Sequence, residues 1–322
     1  LPNVIYAQLD HKVSQRVLPN DPDFSQMWDM HNTGQDGGSN DADIDAPEAW
    51  DITTGGMTAL GDEIVVAVVD GGVQTSHTDL AANIWVNVNE IPGNDIDDDG
   101  NGYVDDLIGW DASGEWGTSD NDPFPKTGVQ NDSDWAHGTH VAGILAATTN
   151  NGLGMASTMF NGSIISVKAS QDGPDSNEPN INNGYEGIYY AARAGYHAGK
   201  HTIINNSWGS VSGGGGIIDG TFKSGQAIIN IAFNDYGAII VAAAGNGVED
   251  AHQEEYADHY PASYENVVSV CAMSCNGNWG NWATYHTTVD LAAPGESIYS
   301  AIIGGGYESW DGSSMASPNA AS

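Results

Sequence analysis

Apolar residues fall along this chain in short runs separated by polar, glycine-rich stretches. Ile64 to Val69 is an unbroken run rich in β-branched residues, ended by Asp70. Such a run, without polar alternation, is the pattern of a strand covered on both faces in the middle of a parallel sheet. Ile164–Ala169, Thr202–Asn206, Ala238–Ala244, Val267–Cys271 and Val289–Ala292 read as further strands. Between them the period changes. Asn183–Gly199 puts Ile188, Ala191, Ala192 and Gly195 on one helical face, and Ile218–Phe233 reads as another helix. His137 opens a small-residue helix running to Ala147, and Asp45-Ala46-Pro47 starts a short one with proline in its first turn. Strand–helix alternation predicts an α/β fold in three layers, a mostly parallel sheet with helices on both faces. Asn20 to Phe24 is a turn signature, and Gly213–Gly216 and Gly304–Gly306 are predicted as surface loops.

Composition narrows the partners. The 322 residues include 43 acidic and 7 basic side chains, a net charge of −36. Such a surface repels nucleic acid and anionic membranes and suits divalent cations and saline surroundings. No apolar run approaches the ~20 residues of a membrane span. The 42 glycines follow no triplet period and fit tight turns. Cys271 and Cys275 lack the second pair a zinc site wants. A disulfide between them requires a turn, and two thiols are the equal alternative.

Chemistry enters at six places. Asp95 to Asp106 has acidic residues at loop positions 1, 3 and 5, glycine at 6 and a carboxylate at 12. That is the twelve-residue calcium pattern, with Asp95, Asp97, Asp99, Asn101, Tyr103 and Asp106 as ligands; its bland counterpart is a hydrated acidic turn. Asp70, at the C-terminal end of a buried strand, lies where open α/β sheets place their sites, although a turn aspartate looks the same locally. His137, at a helix start beside glycine, is exposed enough for general-base work; His140 reads as structural. Near the chain end, Gly312-Ser313-Ser314-Met315-Ala316 sets a serine among small residues at a tight turn into a helix, as a nucleophile requires. Asn206-Ser207-Trp208-Gly209 and Ala243-Ala244-Gly245-Asn246-Gly247 close two strands, and an asparagine NH2 there could donate to a developing oxyanion.

Asp70, His137 and Ser314 follow one another in the order Asp…His…Ser of the subtilisin arrangement. With the His-Gly-Thr-His and Gly-Ser-Ser-Met-Ala motifs, the chain resembles the subtilases, serine endopeptidases, from Asp21 to its last residue. The resemblance implies a subtilisin-like fold, Ser314 as nucleophile, His137 as base and then acid, Asp70 as the orienting carboxylate and Asn246 as oxyanion donor. It further implies that Ser207-Trp208-Gly209 pairs with the substrate backbone. Together with Ala243-Ala244-Gly245 it would wall a pocket for an apolar or aromatic residue before the scissile bond. Structural calcium is implied at two or more sites: one of Asp21, Asp79, Asn151 and the carbonyls of Thr148, Leu153 and Met155, and one at the acidic loop. Tyr260-Pro261 matches the family's cis bond.

The expected organisation is an extension over residues 1–20, the tail of a prosegment or a linker, then a peptidase domain over 21–322 lacking its C-terminal end. The expected protein is secreted and monomeric, acts on polypeptides, and binds neither nucleic acid nor membrane; its own prosegment would be an inhibitor. Several positions depart from the family. Gly71 replaces Ser or Thr, which predicts a lost hydrogen bond to Asp70; Ser313 replaces threonine and Asn319 replaces histidine. The competing readings are a catalytically inactive calcium-dependent binding protein of the same fold, and an esterase. The esterase fits poorly, since the serine motif lacks the closing glycine of a nucleophile elbow.

Overall fold

The structure is a computed structural model that describes residues 18–129, 132–211, 221–247, 258–279 and 282–322. Its centre is a seven-stranded sheet, all parallel, built from β1 (Ile64–Asp70), β2 (Gly109–Asp111), β3 (Ile164–Lys168), β4 (His201–Asn206), β6 (Ile239–Ala243), β8 (Val267–Met273) and β9 (Leu291–Pro294). The order is β2-β3-β1-β4-β6-β8-β9. Two short antiparallel pairs complete the strands: β5 (Ser210–Val211) with β7 (His259–Tyr260), and β10 (Ile298–Ile302) with β11 (Gly306–Trp310).

Alternation along β1 explains the layers. Val66 and Val68 join one core with Val141, Ile144, Leu145, Met315 and Ala316, from α3 (His137–Ala146) and α6 (Ser313–Ala321). Val65, Ala67 and Val69 point the other way, into a core with Ile188, Ala191, Ile229 and Ala232, from α4 (Gly184–His197) and α5 (Thr221–Asn234). A strand buried on both faces has no polar face to show, hence its unbroken apolar run. Two short helices, α1 (Ala46–Trp50) and α2 (Asp132–Trp135), flank these layers.

The sequence expectations meet this structure in detail. Helix α5 begins inside the predicted 218–233; residues 218–220, the Gly213–Gly216 loop and most of the 1–20 extension lie outside the described residues. Strand β9 sits two residues later than expected. Gly304 and Gly305 are the tip of the β10–β11 hairpin rather than a free loop. Cys271 and Cys275 are thiols, not a disulfide. Cys271 is buried, its Sγ donating to the Leu291 carbonyl at 3.4 Å. The Tyr260–Pro261 bond is cis. Among the described residues no helix is long and apolar enough to cross a membrane.

Strand order reverses around β1: the chain first goes to the edge strand β2 and returns as β3 beside β1, then crosses to β4 on the other side and continues to β9. Connections leaving β1 and β4 in opposite directions open a crevice at their C-terminal ends.

Candidate active site

The residues singled out from the sequence converge on that crevice. Asp70 ends β1, His137 begins α3, Ser314 is the second residue of α6, and Asn246 lies just past β6. His137 Nδ1 is 2.9 Å from both carboxylate oxygens of Asp70. An ionised carboxylate only accepts, so the shared proton sits on Nδ1 and Nε2 keeps its lone pair. Asp70 is 3% exposed, whereas the His137 side chain is 30% exposed. Burial disfavours the imidazolium, but the charge and hydrogen bond of Asp70 outweigh it, and the His137 pKa moves up.

Helix α3 reaches β1 this closely because residue 138 is glycine. A Cβ there would meet the Gly72 carbonyl oxygen at 2.4 Å and Asp70 Cβ at 3.0 Å. At Gly71 a Cβ would come within 3.0 Å of Pro179. The hydrogen bond expected to be missing there is supplied by the backbone: the Gly71 N–H donates to Asp70 Oδ1 at 2.7 Å.

Ser314 lies in the first turn of α6, where helical N–H groups have no partner within the helix and the dipole favours negative charge. Its Oγ donates to the Ser207 carbonyl at 3.0 Å, and Ser207 Oγ donates back to the Ser314 carbonyl at 2.8 Å. Behind them Asn205 Nδ2 donates to Ser207 Oγ at 2.9 Å, and Ser317 Oγ donates to Asn205 Oδ1 at 2.7 Å. This buried chain locks the end of β4 to α6.

Asn246 Oδ1 accepts from the Ser313 N–H at 2.8 Å and from Ser313 Oγ at 2.9 Å. A backbone donor demands an oxygen, so the amide is oriented with its NH2 at the other end. Ser313 Oγ also accepts from the Gly245 N–H at 3.1 Å. The residue that replaces a threonine thus joins the asparagine loop to the serine turn.

Ala243 and Ala244 are buried, and Gly245 turns the wall with φ 107°. A Cβ on Gly245 would press on Thr284 Oγ1 at 2.9 Å and on the His259 ring at 3.0 Å. Trp208 is fixed by its indole N–H on the Val69 carbonyl at 2.9 Å. Beside Asp70, His137 and Trp208 opens a cavity of about 540 Å³, also lined by Asp134, Ile181, Glu308 and Trp310. The Trp310 ring stacks on His140 at 4.4 Å and 2°, and lies 6.4 Å from the His137 ring. Burial holds His140 neutral, its pKa down to about 3, and its Nε2 lies 3.0 Å from the Glu308 carbonyl. His140 is thus the flat support of Trp310, in keeping with its structural reading.

The hairpin residues Glu308 and Trp310, and His259 with Thr284, escaped the sequence reading. The hairpin's signal was present, since Ile298-Tyr299-Ser300-Ala301-Ile302 and Gly306 to Trp310 flank a glycine turn. A larger cavity, about 910 Å³, opens at the opposite strand ends beside the Lys200–Glu63 ion pair, away from these groups.

Two acidic sites have hard oxygen donors. In the first, Asp79 is fully buried and accepts from Asn151 Nδ2 at 2.7 Å, the Met155 N–H at 3.0 Å and Tyr307 Oη at 3.2 Å. Thr148 adjoins it, its N–H on the Asp79 carbonyl, while Leu153 is half exposed, its N–H on Asn151 Oδ1. Asp21, the remaining expected ligand, has its carboxylate on the N–H groups of Asn150, Asn151 and Gly152 at 2.7, 3.0 and 3.3 Å, clamping the same loop.

In the second, ligand atoms of Glu90, Asp99 and Asp106 lie within 4.8 Å of one another. Glu90, outside the twelve-residue loop, was not foreseen. Asn87 and Asn101 are buried between these carboxylates and donate amide N–H groups to Asp99 and Asp106. Burial pushes the Asp106 pKa up to about 7. Asp95 and Asp97 stand apart from this cluster. The Asp95 N–H binds Asp105, Asp97 accepts from the Gly100 and Gly102 N–H groups, and the Tyr103 ring packs on Trp110 and Tyr190. Three carboxylates converging on one point, two of them buried, suit a hard divalent cation.

Comparison with known proteins places these features in context. The subtilase family model matches residues 61–322. Thermitase of Thermoactinomyces vulgaris is 34% identical over 94% of this chain and 82% of its own length. An extracellular protease of Xanthomonas campestris is 32% identical over 99% of the chain, which spans only 51% of that relative. Among solved structures, a Pseudoalteromonas arctica protease superposes with a TM-score of 0.68 at 26% identity, covering 94% of this chain and 84% of the other.

Proposed function

The chain belongs to the subtilase family and is a serine-type endopeptidase, and from that premise we propose how its residues divide the work. Ser314 is the nucleophile, His137 the base and then the acid, Asp70 the group that orients the imidazole. The observation that carries this reading is the bidentate contact of Asp70 with His137 Nδ1, at 2.9 Å to each oxygen, beside a cavity also lined by Ser207, whose carbonyl accepts from Ser314 Oγ. It leaves Nε2 to take the Ser314 proton as Oγ attacks the scissile carbonyl. The oxyanion that forms is met by the Ser314 N–H and the Asn246 NH2, both held before reaction by Ser313 and the helix start. His137, now protonated, delivers its proton to the leaving amine; water then repeats the sequence on the acyl-enzyme.

In the resting enzyme the Ser314 hydroxyl rests on the Ser207 carbonyl. A substrate extended along Ser207-Trp208-Gly209 brings its own N–H groups to that strand end. A substrate N–H that takes the Ser207 carbonyl frees the hydroxyl to turn to His137. The small walls at Ala243, Ala244, Gly245 and Gly209 leave space for an apolar or aromatic side chain before the scissile bond.

Calcium fits both acidic sites, held by Asp79, Asn151 and the carbonyls of Thr148, Leu153 and Met155, and by Glu90, Asp99 and Asp106. It supplies stability by binding the folded state and takes no part in bond cleavage. Secretion accords with the extracellular relatives and the acidic surface. The test is casein hydrolysis in calcium, abolished by Ser314→Ala; hydrolysis surviving in that variant overturns the assignment.

A further inference from the structure

The cavity beside His137 has a character that the catalytic residues do not require. Much of its lining is apolar, from Pro179, Ile181, Trp208 and Trp310. Two exposed acidic residues, Asp134 and Glu308, stand at it, and among the described residues no lysine or arginine lines it. Glu308 is not a loose surface side chain. Its carboxylate accepts the Trp310 indole N–H at 3.0 Å, Trp310 is stacked flat on buried His140, and His140 Nε2 is bonded to the Glu308 carbonyl. Asp134 comes from α2, two residues from the start of that helix and three before His137. The acids therefore reach the cavity from two separate elements, and one is fixed by a packed aromatic stack.

We propose that this cavity is a substrate subsite selective for lysine or arginine, with Asp134 and Glu308 as its specificity-determining residues. The inference rests on the endopeptidase reading above. A long side chain with an apolar stem and a cationic head matches apolar walls with acidic edges. Strand alternation gives its place in the substrate. With the residue before the scissile bond facing the Ala243–Gly245 wall, the residue preceding it faces the opposite side, toward His137 and this cavity. Binding a cation there brings two carboxylates and one charge together in a partly water-excluded space, where pairing is stronger than at an open surface.

The experiment uses the whole enzyme in calcium and chromogenic peptide anilides that differ only at the second residue before the scissile bond: lysine, leucine or glutamate. The anilide removes any contribution from the leaving side. The expected kcat/KM order is lysine over leucine over glutamate, with lysine ahead of leucine by about 5- to 10-fold at low ionic strength and the gap narrowing as salt screens it. Asp134→Asn and Glu308→Gln should each shrink the lysine-to-leucine ratio about 3-fold and together remove it. A ratio near one in the unmodified enzyme, or a lysine preference that survives both substitutions, overturns the subsite. Failure to cleave any of the peptides would instead strike at the endopeptidase reading, so the two failures are distinguishable.

Discussion

Ser313 shows how much one hydroxyl organises. It accepts from the Gly245 N–H and donates to Asn246 Oδ1, so the oxyanion amide and the nucleophile turn are positioned by one side chain. Asn246→Ala should lower kcat by about 10²- to 10³-fold with KM little changed, the scale known for removing such a donor from a subtilisin. The raised pKa of His137 has a definite sign in catalysis. The base must be neutral, so the acid limb of kcat/KM should titrate above the ordinary imidazole value of ~6.5. A limb at or below that value in a pH–rate profile would contradict the Asp70 contact. Asp29 carries a separate prediction for stability. It is fully buried, and burial, against weaker opposing contacts from Asn319 and the local backbone, pushes its pKa to about 6. A carboxyl whose pKa rises on folding favours the native state below its unfolded pKa, and that contribution is lost as pH climbs through the folded value. Asp29→Asn should therefore gain stability relative to the parent above pH ~6, approaching about 3 kcal/mol, and gain little near pH ~4. Denaturant titrations at the two pH values decide it.

At the scale of elements, catalysis depends on how closely α3 sits on the end of β1. Gly138→Ala should drive the helix from Gly72 and Asp70 and cost activity on the order of 10²-fold through misplacement of His137. Unchanged kcat in that variant would mean the contact gives without moving the imidazole. Much of this was legible in the chain: the apolar run of β1 with Asp70 at its end, the small residues around His137, and the serine turn. These are local signals of burial and close approach. The hairpin carrying Glu308 and Trp310 was passed over because its glycines read as a free loop, although alternation on either side was visible. Glu90 was hidden for a different reason. The acidic loop looks self-sufficient in sequence, but the Asp97 carboxylate turns to the Gly100 and Gly102 N–H groups, and a carboxylate from a preceding turn, Glu90, joins Asp99 and Asp106 in the cluster. Long-range convergence of that kind leaves no local pattern.

For the whole molecule the governing quantity is charge. A net of −36 self-repels, and the carboxylates at Asp79 and at Glu90, Asp99 and Asp106 concentrate that repulsion. Chelation should lower the melting temperature, and added calcium should restore it. Glu90→Gln should reduce the calcium-dependent part while Asp95→Asn leaves it nearly intact; equal effects would restore the twelve-residue ligand set. All of this turns on the ends of β1, α3 and α6 assembling one live nucleophile. Intact-mass analysis after fluorophosphonate treatment in calcium tests it most directly. A single adduct is expected on the folded enzyme, absent from Ser314→Ala and greatly slowed in His137→Ala. An adduct that persists in Ser314→Ala, or none on a protein shown to be folded, would contradict it.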